Sequence, residues 1–126
     1  MKFSIESKQG NARAGSLTVN NKTIDTPAFM TIGTYGSVKT MDTYDLKKCN
    51  VEIILSNAFH LMLRPGTDLI EKFGGLHQLM NWDGLILTDS GGYQVFSLGK
   101  DVKISKKGAE FRTPFNGDKV FMSPEI

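Results

Sequence analysis

Cysteine and long apolar runs are scarce in this sequence of 126 residues. The single cysteine, Cys49, excludes an internal disulfide and any zinc site built from several thiolates of this chain. No apolar run approaches the length that crosses a bilayer, and residues 1–10 lack the apolar core of a secretory signal. We therefore expect a soluble protein, or part of one, in the reducing cytoplasm and without a membrane partner.

Net charge is also small, because 15 Lys and Arg stand against 13 Asp and Glu. A formal charge of +2 does not by itself predict nucleic-acid binding. The charge is nevertheless uneven, since residues 100–119 hold six basic and three acidic residues. Two interpretations of this basic segment stay open: a surface that contacts phosphates, and a solvated face without a ligand.

Turn residues and apolar runs divide the chain into three parts. Residues 1–25 have the short polar-turn pattern of antiparallel strands and predict a small cap. Residues 26–99 predict three βα units, with buried strands over 27–32, 52–55 and 85–88. Helices are expected from Met41 to Cys49, with Thr40 as the cap, and from Pro65 to Phe73. Repeated βα units predict a parallel sheet.

The chain changes character again after Leu98. Short polar segments broken by Gly108 and by Asn116-Gly117 predict an antiparallel β insertion over residues 100–122. Residues 123–126 have a Ser cap followed by proline, which predicts the start of a helix.

Small or polar residues follow each predicted parallel strand: Gly33-Thr34, Ser56-Asn57 and Asp89-Ser90. Ligands of parallel α/β folds bind at the carboxyl ends of the strands. We therefore expect these three loops to meet in one site.

Asp89-Ser90-Gly91-Gly92-Tyr93 is the most informative of these loops. The paired glycines let backbone N–H groups approach a ligand, and the carboxylate and the ring suit a flat, hydrogen-bonding molecule such as a nucleobase. An ordinary turn with an Asp cap would have the same composition, so the loop alone leaves both readings open.

Several unusual motifs follow one another along the chain. They are TPAFM at 26–30, SNAFHLMLRPG at 56–66, GLH at 75–77 with Met80 and WD at 82–83, LTDSGGYQV at 87–95, RTPFNG at 112–117 and SPE at 123–125. In this order they closely resemble tRNA-guanine transglycosylase, also called queuine tRNA-ribosyltransferase. The likeness covers the whole chain but only the first part of that family's barrel. It implies the N-terminal portion of a (β/α)₈ TIM-type barrel, with the cap before it and the insertion after its third strand.

The resemblance implies an exchange of bases in queuosine biosynthesis. Guanine at the wobble position of tRNA is replaced by a 7-deazaguanine, prequeuine in bacteria, through a covalent ribosyl-enzyme intermediate. It implies that Asp89 is catalytic and binds the base, that Tyr93 stacks on the base, and that Asn57 orients Asp89. Ser90, Gly91 and Gly92 would form the pocket wall.

The resemblance also implies partners and parts that residues 1–126 do not supply. The attacking carboxylate and a zinc site of three Cys and one His lie later in the family's chain, so we expect residues 1–126 alone not to turn over. A homodimer is expected for the full-length protein.

Two alternative functions remain. The first is a non-catalytic tRNA-binding partner subunit. The attacking carboxylate that would distinguish it from an active enzyme is not among residues 1–126. The second is a serine hydrolase, since Asp-Ser-Gly-Gly resembles the nucleophile loop of trypsin-like proteases, with Ser90 as nucleophile and His60 or His77 as base. The alternation of strands and helices argues against the second, because those proteases are β-barrels.

Overall fold

An antiparallel sheet formed by the first three strands begins the chain. The computed structural model describes residues 1–125, and here β1 is Lys2–Gln9, β2 is Ala12–Val19 and β3 is Lys22–Thr26. The strands pair in the order β1-β2-β3. Asn20 has a left-handed φ of 53° in the β2–β3 turn, a conformation that asparagine tolerates better than most residues.

A parallel sheet of three strands follows, in the order β4-β5-β6. Its strands are β4, Thr31–Ile32; β5, Ile53–Asn57; and β6, Leu85–Asp89. Because all three strands run the same way, their carboxyl ends lie at one edge of the sheet. The chain is thus a mixed α/β structure with parallel and antiparallel sheets, and the sheet of residues 1–125 is not closed into a barrel.

The strand predicted over 27–32 is wrong for its first part. Only Thr31 and Ile32 pair with β5, opposite Ile54 and Leu55. The pairing of β3 with β2 ends at Thr26. Residues 27–30, between β3 and β4, have no ladder partner within the described chain. Apolar composition alone cannot tell a strand from an extended connection.

Helix α1, Thr43–Lys48, is shorter than predicted and has a different cap. The Asp42 carboxylate accepts a hydrogen bond from the Asp45 N–H at 2.8 Å. Thr40 has a left-handed φ of 66° and lies two residues before the cap. The predicted Thr40 cap is therefore wrong, and a carboxylate stabilises the first turn instead.

The segment between β5 and β6 holds three short helices. These are α2, Ala58–Leu61; α3, Thr67–Lys72; and α4, Leu76–Met80, with an irregular turn over Met62–Gly66. The helix predicted from Pro65 begins two residues later, because Gly66 has a φ of 102° that no right-handed helix accommodates.

The last part of the chain comprises α5 and a second antiparallel sheet. Helix α5 is Gly92–Leu98, and the strands are β7, Lys100–Ser105; β8, Gly108–Arg112; and β9, Lys119–Met122. They pair in the order β7-β8-β9, as the predicted insertion requires. Residues 123–125 form a turn rather than helix, and Ile126, the rest of the predicted helix start, lies outside the described residues.

Three apolar clusters join these elements. The first contains Leu46, Ile54, Met80 and Trp82, and packs α1 and α4 against the parallel sheet. The second joins the cap to that sheet through Ile24, Ile53 and Leu85. The third joins the second antiparallel sheet to α2 and α5, through Phe59, Val95 and Phe111.

No helix within residues 1–125 is long and apolar enough to cross a membrane.

Candidate functional site

Asn57 and Asp89 end neighbouring parallel strands and lie side by side. The two residues are register partners of β5 and β6. The Asn57 Nδ2 donates a hydrogen bond to the Asp89 Oδ1 at 2.7 Å. Asn57 is buried at 6% exposure, whereas Asp89 is half-buried. The amide therefore holds the carboxylate in place at the carboxyl ends of the strands.

The Asn57 side chain has a second role at the start of α2. Its Oδ1 accepts a hydrogen bond from the His60 N–H at 3.2 Å, so the residue is also the N-cap of that helix. One amide thus uses its oxygen for the helix and its nitrogen for Asp89. Because both ends are occupied, the orientation of the amide is defined.

The backbone of the glycine loop makes the second contact to Asp89. The Gly91 N–H donates to the same oxygen, Oδ1, at 2.8 Å. Within residues 1–125 no donor contacts Oδ2, and Asp89 forms no salt bridge. The carboxylate is therefore held by one oxygen, while the other can accept a hydrogen bond from a ligand.

Only the first of the two glycines is required by the backbone. Gly91 is buried with a φ of 69°, and a Cβ there would lie 2.5 Å from the Phe59 Cβ and 2.8 Å from its backbone nitrogen. Gly92 is exposed, has no such φ, and a Cβ there would come no closer than 3.7 Å to the Ser90 Oγ. The sequence predicted equal roles for the pair, and the structure separates them.

Tyr93 presents its ring to solvent. It lies in the first turn of α5, four residues after Asp89, and is 75% exposed. Within residues 1–125 it makes no aromatic contact. A ring in this position is free to stack on a flat molecule.

Ser90 has no base of the kind that a serine nucleophile needs. Within residues 1–125 it forms no hydrogen bond to either histidine. The His60 ring packs against Tyr35 at 5.1 Å, and the His77 Nε2 lies 3.1 Å from the Gly84 carbonyl oxygen. The geometry therefore gives no support to the serine hydrolase alternative.

An aromatic stack that the sequence did not predict packs against Gly91 of the Asp89 loop. The Phe59 and Phe111 rings stack at 5.3 Å with an angle of 22° between their planes, and both are buried. Phe59 is also the residue against which Gly91 packs. The β8 strand of the second antiparallel sheet thus supports the Asp89 loop through one intervening ring. The only sequence signal for this was a large apolar residue directly after Asn57-Ala58.

A cleft of about 360 Å³ opens beside the loop and extends to the second antiparallel sheet. Its lining includes Ser90 and Gly92 of the loop and Ile104 and Lys106 of the sheet. The candidate site is therefore continuous with the surface of that sheet.

A family model described as queuine tRNA-ribosyltransferase matches residues 7–126. The chain belongs to the queuine tRNA-ribosyltransferase family. The resemblance inferred from the sequence motifs is thereby confirmed.

Curated members of the family are similar over the whole chain. A queuine tRNA-ribosyltransferase of Herminiimonas arsenicoxydans is 57% identical over 126 residues, which is 100% of this chain and 34% of the relative. The protein of the same name from Chromobacterium violaceum is 52% identical over the same coverage, and that from Vibrio campbellii is 55% identical over 125 residues, 33% of its length. The chain thus spans about a third of the length of these relatives.

The described residues do not fit a zinc ion. Cys49 is exposed at the end of α1, and residues 1–125 contain no group of three or more His, Cys, Asp or Glu side chains that could hold a metal. A structural zinc site needs four such ligands, which residues 1–125 do not bring together.

Proposed function

We propose that this chain forms the base-binding part of a tRNA-guanine transglycosylase. The reaction replaces guanine at the wobble position of tRNA by a 7-deazaguanine, prequeuine in bacteria. The glycosidic bond to guanine breaks as a carboxylate of the enzyme bonds to the ribose C1′, and the incoming base then displaces that carboxylate. Family membership supports this proposal, and so does the fixed Asp89 carboxylate at the end of β6.

Asp89 binds the polar edge of the purine and transfers protons as the bases exchange. Its Oδ1 is occupied by the Asn57 amide and the Gly91 N–H, so Oδ2 is the oxygen that accepts from a purine N–H. A carboxylate held in one orientation binds a second partner with little further loss of side-chain freedom. Proton transfer by such a positioned group contributes about 10² to 10⁴ in rate.

Tyr93 covers the flat face of the purine. Its ring is exposed and lies in the first turn of α5, directly after the two glycines, which suits a stacking platform. Stacking of a base on an aromatic ring contributes about 1–3 kcal/mol. Ser90, Gly91 and Gly92 form the pocket wall, and Gly91 brings the backbone against Phe59 without a Cβ.

The wider architecture belongs to the same proposal. The sheet β4-β5-β6 forms the first three strands of a (β/α)₈ barrel, and the nucleophilic carboxylate and the zinc ligands come from outside residues 1–126. The full-length protein forms a homodimer. The domain limits of 1–25, 26–99, 100–122 and 123–126 and the cytoplasmic location remain predictions.

Exchange of radiolabelled guanine in tRNA tests the function. We define the full-length context as residues 1–126 joined to the remaining two-thirds of the Herminiimonas arsenicoxydans relative. Asp89→Asn should lower the exchange rate at least 100-fold there, because an amide cannot supply the proton transfer of a carboxylate. The matched control is Asp25→Asn, an exposed carboxylate of β3 in the cap.

Near-normal exchange by Asp89→Asn would remove Asp89 from the mechanism. A parent protein that binds tRNA but exchanges no guanine would contradict the proposed activity and favour the non-catalytic partner subunit instead.

A further inference from the structure

The tip of the β7–β8 hairpin carries positive charge that no acidic side chain of residues 1–125 neutralises. Elsewhere in this sheet Arg112 pairs with Asp101 at 3.2 Å. Lys106 and Lys107 form no salt bridge within the described chain, and both are exposed. The tip therefore carries two adjacent lysines of the basic segment 100–119 that form no salt bridge within the described chain.

Hydrogen bonds hold this tip in a defined turn. The Ser105 Oγ accepts from the Lys107 N–H at 3.2 Å and donates to the Gly108 carbonyl oxygen at 3.1 Å. The backbone that carries both lysines is thus ordered, although their side chains are free. A short ordered turn with two cations is well suited to contact a phosphate chain.

The hairpin tip shares a cleft with the candidate base-binding site. Lys106 lines the cleft together with Ser90 and Gly92 of the Asp89 loop. Ile104 lines it too and is 81% exposed, so its apolar side chain is accessible from the cleft. A positive charge, an apolar side chain and the base-binding loop therefore border one cleft.

We propose that the β7–β8 hairpin tip binds the RNA backbone next to the exchanged nucleoside. Lys106 contacts a phosphate, and Ile104 packs against the adjoining ribose or base. This inference rests on the proposed function, because it needs the nucleoside to occupy the Asp89 loop. RNA fits better than an acidic protein segment, since two residues that line the cleft, Ser90 and Gly92, directly adjoin in sequence the carboxylate and the aromatic ring proposed to bind a base.

Salt dependence of RNA binding by the full chain tests the inference. The probe is a fluorescein-labelled RNA hairpin with guanine in its loop, and fluorescence anisotropy gives its affinity at a series of KCl concentrations. A single-strand phosphate contact contributes a slope of about 0.7 in log affinity against log salt. Lys106→Gln should therefore reduce the slope by about 0.7 and weaken binding about fivefold at 0.1 M salt.

Lys8→Gln is the matched control, because Lys8 is an exposed lysine of β1 in the other antiparallel sheet. It should leave both slope and affinity unchanged, apart from the small effect of one distant charge. Ile104→Ser should weaken RNA binding without changing the slope. Circular dichroism of each variant establishes that the fold is intact.

An unchanged slope for Lys106→Gln, or an equal change for Lys8→Gln, would overturn the inference. So would a chain that does not bind the RNA, or that binds a polyglutamate peptide as tightly as the RNA. The proposed function is judged separately, by guanine exchange of Asp89→Asn in the full-length context. If Lys106→Gln leaves the salt slope unchanged while Asp89→Asn loses guanine exchange, the hairpin contact is refuted and the proposed function stands.

Discussion

Gly91→Ala should destabilise the chain far more than Gly92→Ala, although the two glycines are adjacent. A Cβ at Gly91 would lie 2.5 Å from the Phe59 Cβ and 2.8 Å from the Phe59 backbone nitrogen. Neither partner can move easily, because Phe59 is fully buried and stacked on Phe111. The loop must therefore shift, and with it the N–H that holds the Asp89 Oδ1.

The expected cost of Gly91→Ala has two parts. The φ of 69° is left-handed, and an alanine there costs about 1–2 kcal/mol. Overpacking against a buried ring and backbone adds about 1–3 kcal/mol. The free energy of unfolding should thus fall by about 2–5 kcal/mol.

Gly92→Ala is the control, because a Cβ there meets only the Ser90 Oγ at 3.7 Å. At a compatible backbone position a change from glycine to alanine stabilises a protein by about 0.4–1 kcal/mol, because it reduces the conformational entropy of the unfolded chain. Urea unfolding followed by circular dichroism measures both variants. Equal stabilities of the two would refute the assignment of the close approach to Gly91.

Three further predictions concern single side chains. Asn57→Ala should lower the free energy of unfolding, measured in urea, by about 1–3 kcal/mol, because the cap of α2 and the hydrogen bond to Asp89 are both lost. It should also reduce guanine exchange in the full-length context, and wild-type values for both measurements would contradict the role of the amide. Tyr93→Ala should weaken prequeuine binding at least fivefold by calorimetry while Tyr93→Phe retains it, and equal loss in both would exclude stacking as the main contribution. The hydrogen bond from Lys47 at 3.0 Å lowers the pKa of Asp83 below 3.8. This ion pair therefore contributes stability at pH values above the pKa of Asp83 in the unfolded chain, and the contribution is lost as the pH falls through the pKa in the folded chain. A carboxyl NMR titration should show the lowered pKa, and Lys47→Ala should raise it toward 3.8.

The sequence predicted the order of the sheets because its signals there are local. Paired polar turn residues mark the antiparallel strands, and apolar runs mark β5 and β6. The expected burial of residues 85–88 is wrong except at Leu85, because Leu87 and Thr88 are exposed within the described chain. Residues 27–30 carry the same apolar signal without forming a strand, since pairing depends on a partner that the local sequence does not specify. The cap of α1 was wrong for a related reason: Thr40 and Asp42 are both good caps, and only the backbone conformation selects Asp42.

The candidate site was predictable where residues follow one another in sequence. Asp89, Ser90, Gly91, Gly92 and Tyr93 are consecutive at the junction of β6 and α5, and the parallel register brings Asn57 to Asp89. Support from the stack of two distant phenylalanines was not predictable, because nothing in the sequence marks two buried rings 52 residues apart as partners. The unequal roles of the two glycines likewise follow from a tertiary contact.

Whether the Asp89 loop binds the base is decided by titration of the chain with prequeuine, followed by amide NMR. The Gly91 amide and the Tyr93 resonances should shift on binding, because the base contacts the Asp89 carboxylate held by Gly91 and covers the Tyr93 ring. Asp89→Asn should abolish these shifts, and Asp25→Asn should preserve them. Shifts that persist in Asp89→Asn, or that occur only away from this loop, would show that the base does not bind through the Asp89 carboxylate.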